Sequence, residues 1–287
     1  DKDANLRTTP ELVELSQSLL RQLELDQLVL PSLPENALQV RQLASDPRST
    51  LKQIADAIAA DPAMASQLMR LAQTLRYSHP GQPITSLPIA IARIGLQGTV
   101  NVAMALAVHQ LFHFHAPQIR QLCRSIQQKA VHVSRFALTL SDEFTPEHTH
   151  QLADFIVLAS VLLDIGCLPL LAELDHRVAQ GESLPDTATL TDWCAQLRVP
   201  LGLAMLKKWR LDPSFAELLP LTRTPANSPA AEALILAHAY YEAQSLVETR
   251  ERNELAVELA LHPLDSDEER QQLLAWLHQQ PEAMVIN

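Results

Sequence analysis

The sequence predicts an all-α protein, and three observations carry that reading. Apolar residues recur at three- and four-residue spacing through most of the chain, the period of a helix with one buried face. Gly is scarce, at 6 of 287 residues, whereas Pro reaches 19. That pairing suits helices joined by sharp proline-marked turns rather than a sheet rich in glycine turns. No stretch reads as a credible strand, and no repeat of fixed period is present. Apolar residues make up 47% of the chain and aromatics only 4%, so Leu, Ala, Ile and Val must supply the core. The length is enough for one large domain or two smaller ones.

Taken in order, residues 1–9 are polar and are expected to fray. A helix from Pro10 carries Leu12, Leu15, Leu19 and Leu23 on one side and ends before Pro31. Pro34 opens a helix through Ala37, Leu38 and Leu43. Thr50 can cap the next, which places Leu51, Ile54, Ala55, Ile58 and Ala59 on one face. Asp61-Pro62 ends that helix and starts another, because Pro suits the first helical position, where no N–H is needed. Its apolar face is Met64, Leu68, Leu71, Ala72 and Leu75. Ser86 can cap a short helix carrying Ile91 and Ile94, which Gly95 stops with a left-handed turn. A helix over 99–112 completes this half.

A long helix is predicted over 118–141, with Ile119, Leu122, Ile126, Val133 and Ala137 aligned. A loop surrounds Phe144 to Pro146, and Pro146 opens a helix leading into 155–163. After Asp164-Ile165-Gly166 a helix runs to about Gln180, and 181–185 is a loop. Two short helices follow, 191–197 and 199–209. Asp212-Pro213 repeats the start seen at Asp61-Pro62. RTPANSP (223–229) reads as a linker, with helices over 230–247, 252–261 and 266–279 beyond it.

The net charge of −11 disfavours broad attraction to nucleic acid or anionic lipid while leaving room for a local basic patch. Neither nucleic acid nor a membrane is therefore expected as a partner. No secretory leader pattern is visible, and a cytoplasmic location is expected. The most apolar run, 152–174, is interrupted by Asp154, Asp164 and Pro169, and its unbroken stretches are short for a bilayer. Buried helices are the expectation. Cys123, Cys167 and Cys194 lack metal or redox spacing and read as reduced core thiols. The chain starts at Asp1 rather than Met, as a piece of a longer protein would.

Several motifs occur together in order: LPSLPENA (30–37), Asp61-Pro62, LMRLAQTLRY (68–77) and QPITSLPIAIARIGL (82–96). In that arrangement the chain resembles the HDOD domains of bacterial signalling proteins. The resemblance is dense over 30–110 and continues more thinly to about 245. It departs at Ala72-Gln73-Thr74, where the family usually has Ala-Asn-Ser. It implies a two-lobed helical fold related to HD-domain phosphohydrolases, with a first lobe over 1–115, a degenerate HD-like lobe over 116–228 and C-terminal helices over 229–287 packing on the latter.

The relationship also implies positions for a divalent-metal ligand set, and most carry the wrong chemistry. VLASVLLDIGCLPLL (157–171) resembles the helix end bearing a His-Asp pair; here Leu163 stands at the His position and Asp164 remains. KAVHVSRFAL (129–138) resembles the helix bearing the first His, with Lys129 in the best register and His132 available one turn on. Arg198 and Tyr240 fall at later ligand positions. One surviving carboxylate binds a divalent ion weakly. The expectation is no catalytic residue, no resident metal and no cofactor, with Asp164 and His132 as remnants lining a ligand or partner pocket. The plainer reading of Asp164 is a cap or turn residue before Gly166.

His109 and His113 are four residues apart, a spacing that zinc sites use, with His115 nearby. No Cys or carboxylate in the vicinity completes a set, and histidines closing a helix end are the simpler account. His148 and His150 read as exposed loop residues. Lys207, Lys208 and Arg210 form a compact basic cluster, best read as a solvated face beside Trp209. No phosphate loop and no nucleophile elbow is present. The resemblance thus implies a non-catalytic signal-transduction output module. Its partners would be receiver or sensor domains of a longer chain, or a separate signalling protein. The alternatives are an HD-type phosphohydrolase with unexpected ligands, a receptor for a nucleotide second messenger, and a ligand-free helical scaffold.

Overall fold

The computed structural model describes residues 10–25, 33–73, 83–144, 149–221 and 229–245. The described residues form twelve α-helices and no strand: α1 Pro10–Glu24, α2 Glu35–Ser45, α3 Leu51–Ala59, α4 Pro62–Ala72, α5 Leu87–Ile94, α6 Leu96–Gln110, α7 Pro117–Phe144, α8 Thr149–Leu162, α9 Cys167–Ala179, α10 Thr187–Lys208, α11 Pro213–Leu218 and α12 Pro229–Ser245. They divide between two compact units. The first comprises Asp1–Gln127 with Val157–Pro220, and the second Gln128–Ile156 with Leu221–Asn287.

In the first unit, α3 packs on α2, α4 and α5, and those three pack against α6. That helix is buried almost all round, from Gly98 through Ala105 and again at Ala107 and Val108, as a helix apolar on every side must be. Local capping sets the entries. Thr50 and Gln53 form a capping box at α3. The Asp61 carboxylate accepts from the N–H groups of Ala63 (2.9 Å) and Met64 (3.1 Å) and also from Asn36 of α2 and Gln110 of α6. It therefore joins three helices, and those bonds, with Met64 N–H foremost, outweigh its burial and hold its pKa below the usual carboxylate value. Gly95 has φ +88° and the chain turns by 108° there, so α6 starts at Leu96 rather than at 99. Ser86 takes the N-cap position of α5 without a side-chain bond.

The buried faces differ in detail from the sequence pattern. Ala57 joins Ile54, Ala55 and Ile58 inside, while Leu51 is 44% exposed and Ala59 is exposed. On α2, Val40 is buried and Leu38 is not. Along α7, Ile119, Leu122, Val133 and Ala137 are buried as the spacing predicts.

The larger correction concerns 187–208. The two short helices expected on either side of Arg198 are one helix, α10, which continues through Pro200. Proline removes one helical hydrogen bond and crowds the preceding turn, at about 3 kcal/mol in an exposed helix. Here Leu190, Trp193 and Leu197 before it and Leu201, Met205 and Leu206 after it are all buried, and that packing holds both halves in register. The helix ends in a Schellman motif: Leu211 N–H donates to Leu206 O and Arg210 N–H to Lys207 O, with Arg210 at φ +52°. Arg41 of α2 also donates to the terminal carbonyl of Trp209 at 2.9 Å. The same motif closes α9 at Gly181, φ +94°.

By length and composition alone the run 152–179 passes as a membrane span, but 78% of its most apolar window is buried inside the protein, in keeping with the buried helices expected over 152–174. Within the second unit lie the C-terminal part of α7, the start of α8, and α12. His150 belongs to α8 and not to a loop. Leu75, the proline at 146, His148, the linker segment 223–228, and the helices expected over 252–261 and 266–279 lie outside the described residues.

Candidate functional site

The turn joining α8 to α9 carries the residues at which the sequence places a ligand remnant. Short-range backbone bonds build it: Ile165 N–H to Leu162 O (3.1 Å), Cys167 N–H to Asp164 O (3.0 Å) and Leu168 N–H to Ile165 O (3.1 Å), the tight pattern of a 3₁₀ connection. Leu163, Asp164 and Ile165 are 2%, 6% and 0% exposed. Gly166, not Asp164, takes the N-cap position of α9, and no side chain caps it. Asp164 is thus a buried residue of the connecting turn.

Helix α10 crosses directly over this turn. A Cβ on Gly166 would lie 2.1 Å from the Arg198 carbonyl oxygen and 2.6 Å from the Gly202 nitrogen. A Cβ on Gly202 would meet Leu219 Cδ1 at 3.0 Å and the Gly166 nitrogen at 3.6 Å. The two backbones approach as closely as they do because position 166 has no side chain. Arg198 then fastens the crossing. Its Nη1 donates to Leu219 O at 2.8 Å and, at longer range, to Leu163 O at 3.4 Å. At positions 163 and 198, where the resemblance expects ligands, the side chains are an aliphatic group and a guanidinium, and the guanidinium bonds the backbone carbonyl of the other position.

Leu163, Asp164 and Arg198 belong to the first unit, whereas Lys129, His132 and Tyr240 belong to the second. Lys129 is half-buried and engaged. His132 is half-buried, its ring centroid 6.1 Å from that of Tyr241 with the planes 30° apart. Tyr240 lies in α12, and its side chain is outside the described set. Among the described residues no three His, Cys, Asp or Glu side chains gather as a metal site would require.

The histidine cluster does not persist as a helical face. Helix α6 ends at Gln110, so His113 and His115 lie beyond it and His109 and His113 do not share a helix. His113 Nδ1 sits 2.6 Å from Gln110 O. Burial lowers the pKa of His109, and the neighbouring His113 lowers it further. Lys207 and Lys208 close α10 beside the buried Trp209, and Arg210 forms its left-handed cap.

Sequence reasoning missed Asp175. From α9 its carboxylate accepts from the N–H groups of His115 (3.1 Å) and Ala116 (2.8 Å) and approaches His115 Nδ1 at 3.2 Å. It anchors the segment entering α7, where Ala116 has no side-chain acceptor of its own. Burial raises its pKa, but the Ala116 and His115 hydrogen bonds outweigh that and leave it lowered. The partners are 59 and 60 residues apart in sequence, so no local pattern could have signalled the contact.

An all-helical chain with these proline-marked turns and this glycine-lined crossing falls in a definite class. Residues 30–225 match the HDOD domain, and the chain belongs to the HDOD family. Three solved structures share the fold. A protein from Shewanella amazonensis, provisionally named a metal-dependent phosphohydrolase, superposes with TM-score 0.73 at 24% identity, over 94% of this chain and 100% of that one. An HDOD domain protein of unknown function from Geobacter sulfurreducens gives 0.57 at 18%, over 93% and 95%. A protein from Marinobacter aquaeolei, provisionally named for signal transduction, gives 0.52 at 17%, over 98% and 65%. Among curated proteins, a segment of 94 residues is 32% identical to tRNA(Ile)-lysidine synthase of Deinococcus radiodurans, covering 30% of this chain and only 16% of that enzyme.

Proposed function

We propose that the chain is a non-catalytic signal-transduction module of the HDOD family that acts through contacts with neighbouring domains or a separate signalling protein. The observation that carries this reading is the pairing at the α8–α9 turn. The Leu163 side chain has no lone pair to offer a cation, and Arg198 places a fixed positive charge on the carbonyls of Leu163 and Leu219. A divalent ion needs several anionic or neutral donors converging on one point, and these residues do not fit it. Asp164 is then a buried residue of the connecting turn. The expected location is cytoplasmic, and such a module would work through its two compact units, Asp1–Gln127 with Val157–Pro220 and Gln128–Ile156 with Leu221–Asn287, whose bounds differ from the lobes expected over 1–115, 116–228 and 229–287.

The test is hydrolysis of a generic phosphodiester by the purified chain with added manganese, alongside an Asp164→Ala variant. No metal-dependent turnover in either is the expected result. Turnover by the parent that the variant loses overturns the proposal.

A further inference from the structure

The first unit holds an open groove of about 420 Å³ between α1, α9, the segment 182–185 and α10. Its lining is divided by chemistry. Leu15, Leu174 and Trp193, 3%, 4% and 4% exposed, form an apolar floor. Glu11 and Glu182 are exposed lining residues, and among the described residues neither has an ion pair. Arg177 also lines the groove, but its Nε is bound to Glu173 Oε1 at 2.9 Å, so its charge is answered inside the protein. Among the described residues the buried indole Nε1 of Trp193 has no hydrogen-bond partner, so its N–H resonance reports on the packing of this floor.

We propose that this groove docks a peptide segment of a partner protein in which an apolar side chain stands beside a Lys or Arg. The apolar side chain lies on the Leu15–Leu174–Trp193 floor, and the cation meets Glu11 and Glu182. The groove's volume suits a few side chains rather than a whole helix, and two exposed carboxylates select against an acidic segment. The inference rests on reading the chain as a contact-mediated module and names the chemistry of its partner.

The probe is acetyl-Leu-Lys-Leu-Lys-amide, titrated into ¹⁵N-labelled full chain while the indole N–H resonances are followed, with Trp193 assigned by its loss in Trp193→Phe. The Trp193 resonance should move saturably and that of Trp209 should not. Acetyl-Leu-Glu-Leu-Glu-amide should leave both in place. A Glu11→Lys/Glu182→Lys variant, changed only at exposed positions, should bind the basic peptide roughly tenfold more weakly. No movement at millimolar peptide, equal movement with the acidic peptide, or unchanged affinity in the double variant overturns the proposal. The indole shift is blind to hydrolysis, so failure here leaves the non-catalytic reading standing, and metal-dependent turnover would leave the groove standing.

Discussion

Replacing Gly166 by Ala should be among the most damaging single-methyl additions in the first unit. The new Cβ would sit 2.1 Å from Arg198 O, whereas such contacts essentially never fall below 3.0 Å. The turn and α10 must therefore separate by about 0.9 Å, the difference between those two distances. The atoms met are backbone, so no rotamer change can absorb the clash. Separation loosens the packing of Ile165 and Leu219, both fully buried, and stretches the Arg198 bonds to Leu163 and Leu219. Overpacking of this kind costs on the order of 3 kcal/mol, which for a chain of this size lowers the melting temperature by roughly 6–12 °C. Gly181→Ala is the internal control. A Cβ there meets nothing within 4 Å, but φ is +94°, so only backbone strain of about 1 kcal/mol is expected. Urea denaturation followed by helical circular dichroism separates the two. A Gly166→Ala variant within about 0.5 kcal/mol of the parent, or no worse than Gly181→Ala, would refute the crossing geometry.

Asp175→Ala should lower stability by about 2 kcal/mol at pH 7, because charge-assisted bonds to His115 and Ala116 are lost. The folded-state pKa of Asp175 is lowered, so its contribution is fully present above the unfolded value of about 4 and fades as the pH falls through the folded one. The gap between parent and variant should accordingly narrow in acid, and a gap that widens there contradicts the assignment. Arg210→Gly should stabilise the chain by about 0.5–1 kcal/mol, since glycine adopts the φ of +52° without strain; a lower denaturation midpoint would count against the Schellman reading. Burial foremost, with the neighbouring Cys194 and Asp175 charges, pushes the Cys123 thiol up to about 12. A thiol reagent at pH 8 should therefore label Cys123 only after denaturation, as scored by peptide mapping, and rapid native labelling would show that the core there is open.

What was legible in the sequence is what local chemistry decides. Thr50 with Gln53, Asp61 before Pro62 and Asp212 before Pro213 each satisfy helix-start N–H groups within three residues, so the spacing alone locates those helix starts. The family resemblance located the 163–166 turn. Pro200 misled because its local penalty reads as a break, whereas burial along both halves of α10 overrides it. The end of α6 was misplaced for a related reason: apolar residues run on to Leu111 and Phe112, yet the helix stops at Gln110. Asp175 and the Trp193 groove were invisible because each depends on residues brought together from distant parts of the chain.

Under the proposed non-catalytic reading, the α8–α9 turn would keep its motif for packing rather than for chemistry. The close approach of α10 depends on the missing side chain at Gly166 and on the small residue opposite it at Gly202, and neither of these is a ligand position. Leu163 adds to the core, being 2% exposed, and Arg198 offers donors to carbonyls that a histidine in the same place could reach with at most one N–H. Leu163 and Arg198 thus leave the crossing intact, and Arg198 adds a hydrogen-bonded fastening to it. A protein acting through contacts needs that rigidity in its core, because an interface formed on helices that shift by an ångström loses the complementarity on which binding depends. Under the proposed reading, the turn that would hold ions in a hydrolase would instead serve as the pin of a rigid unit.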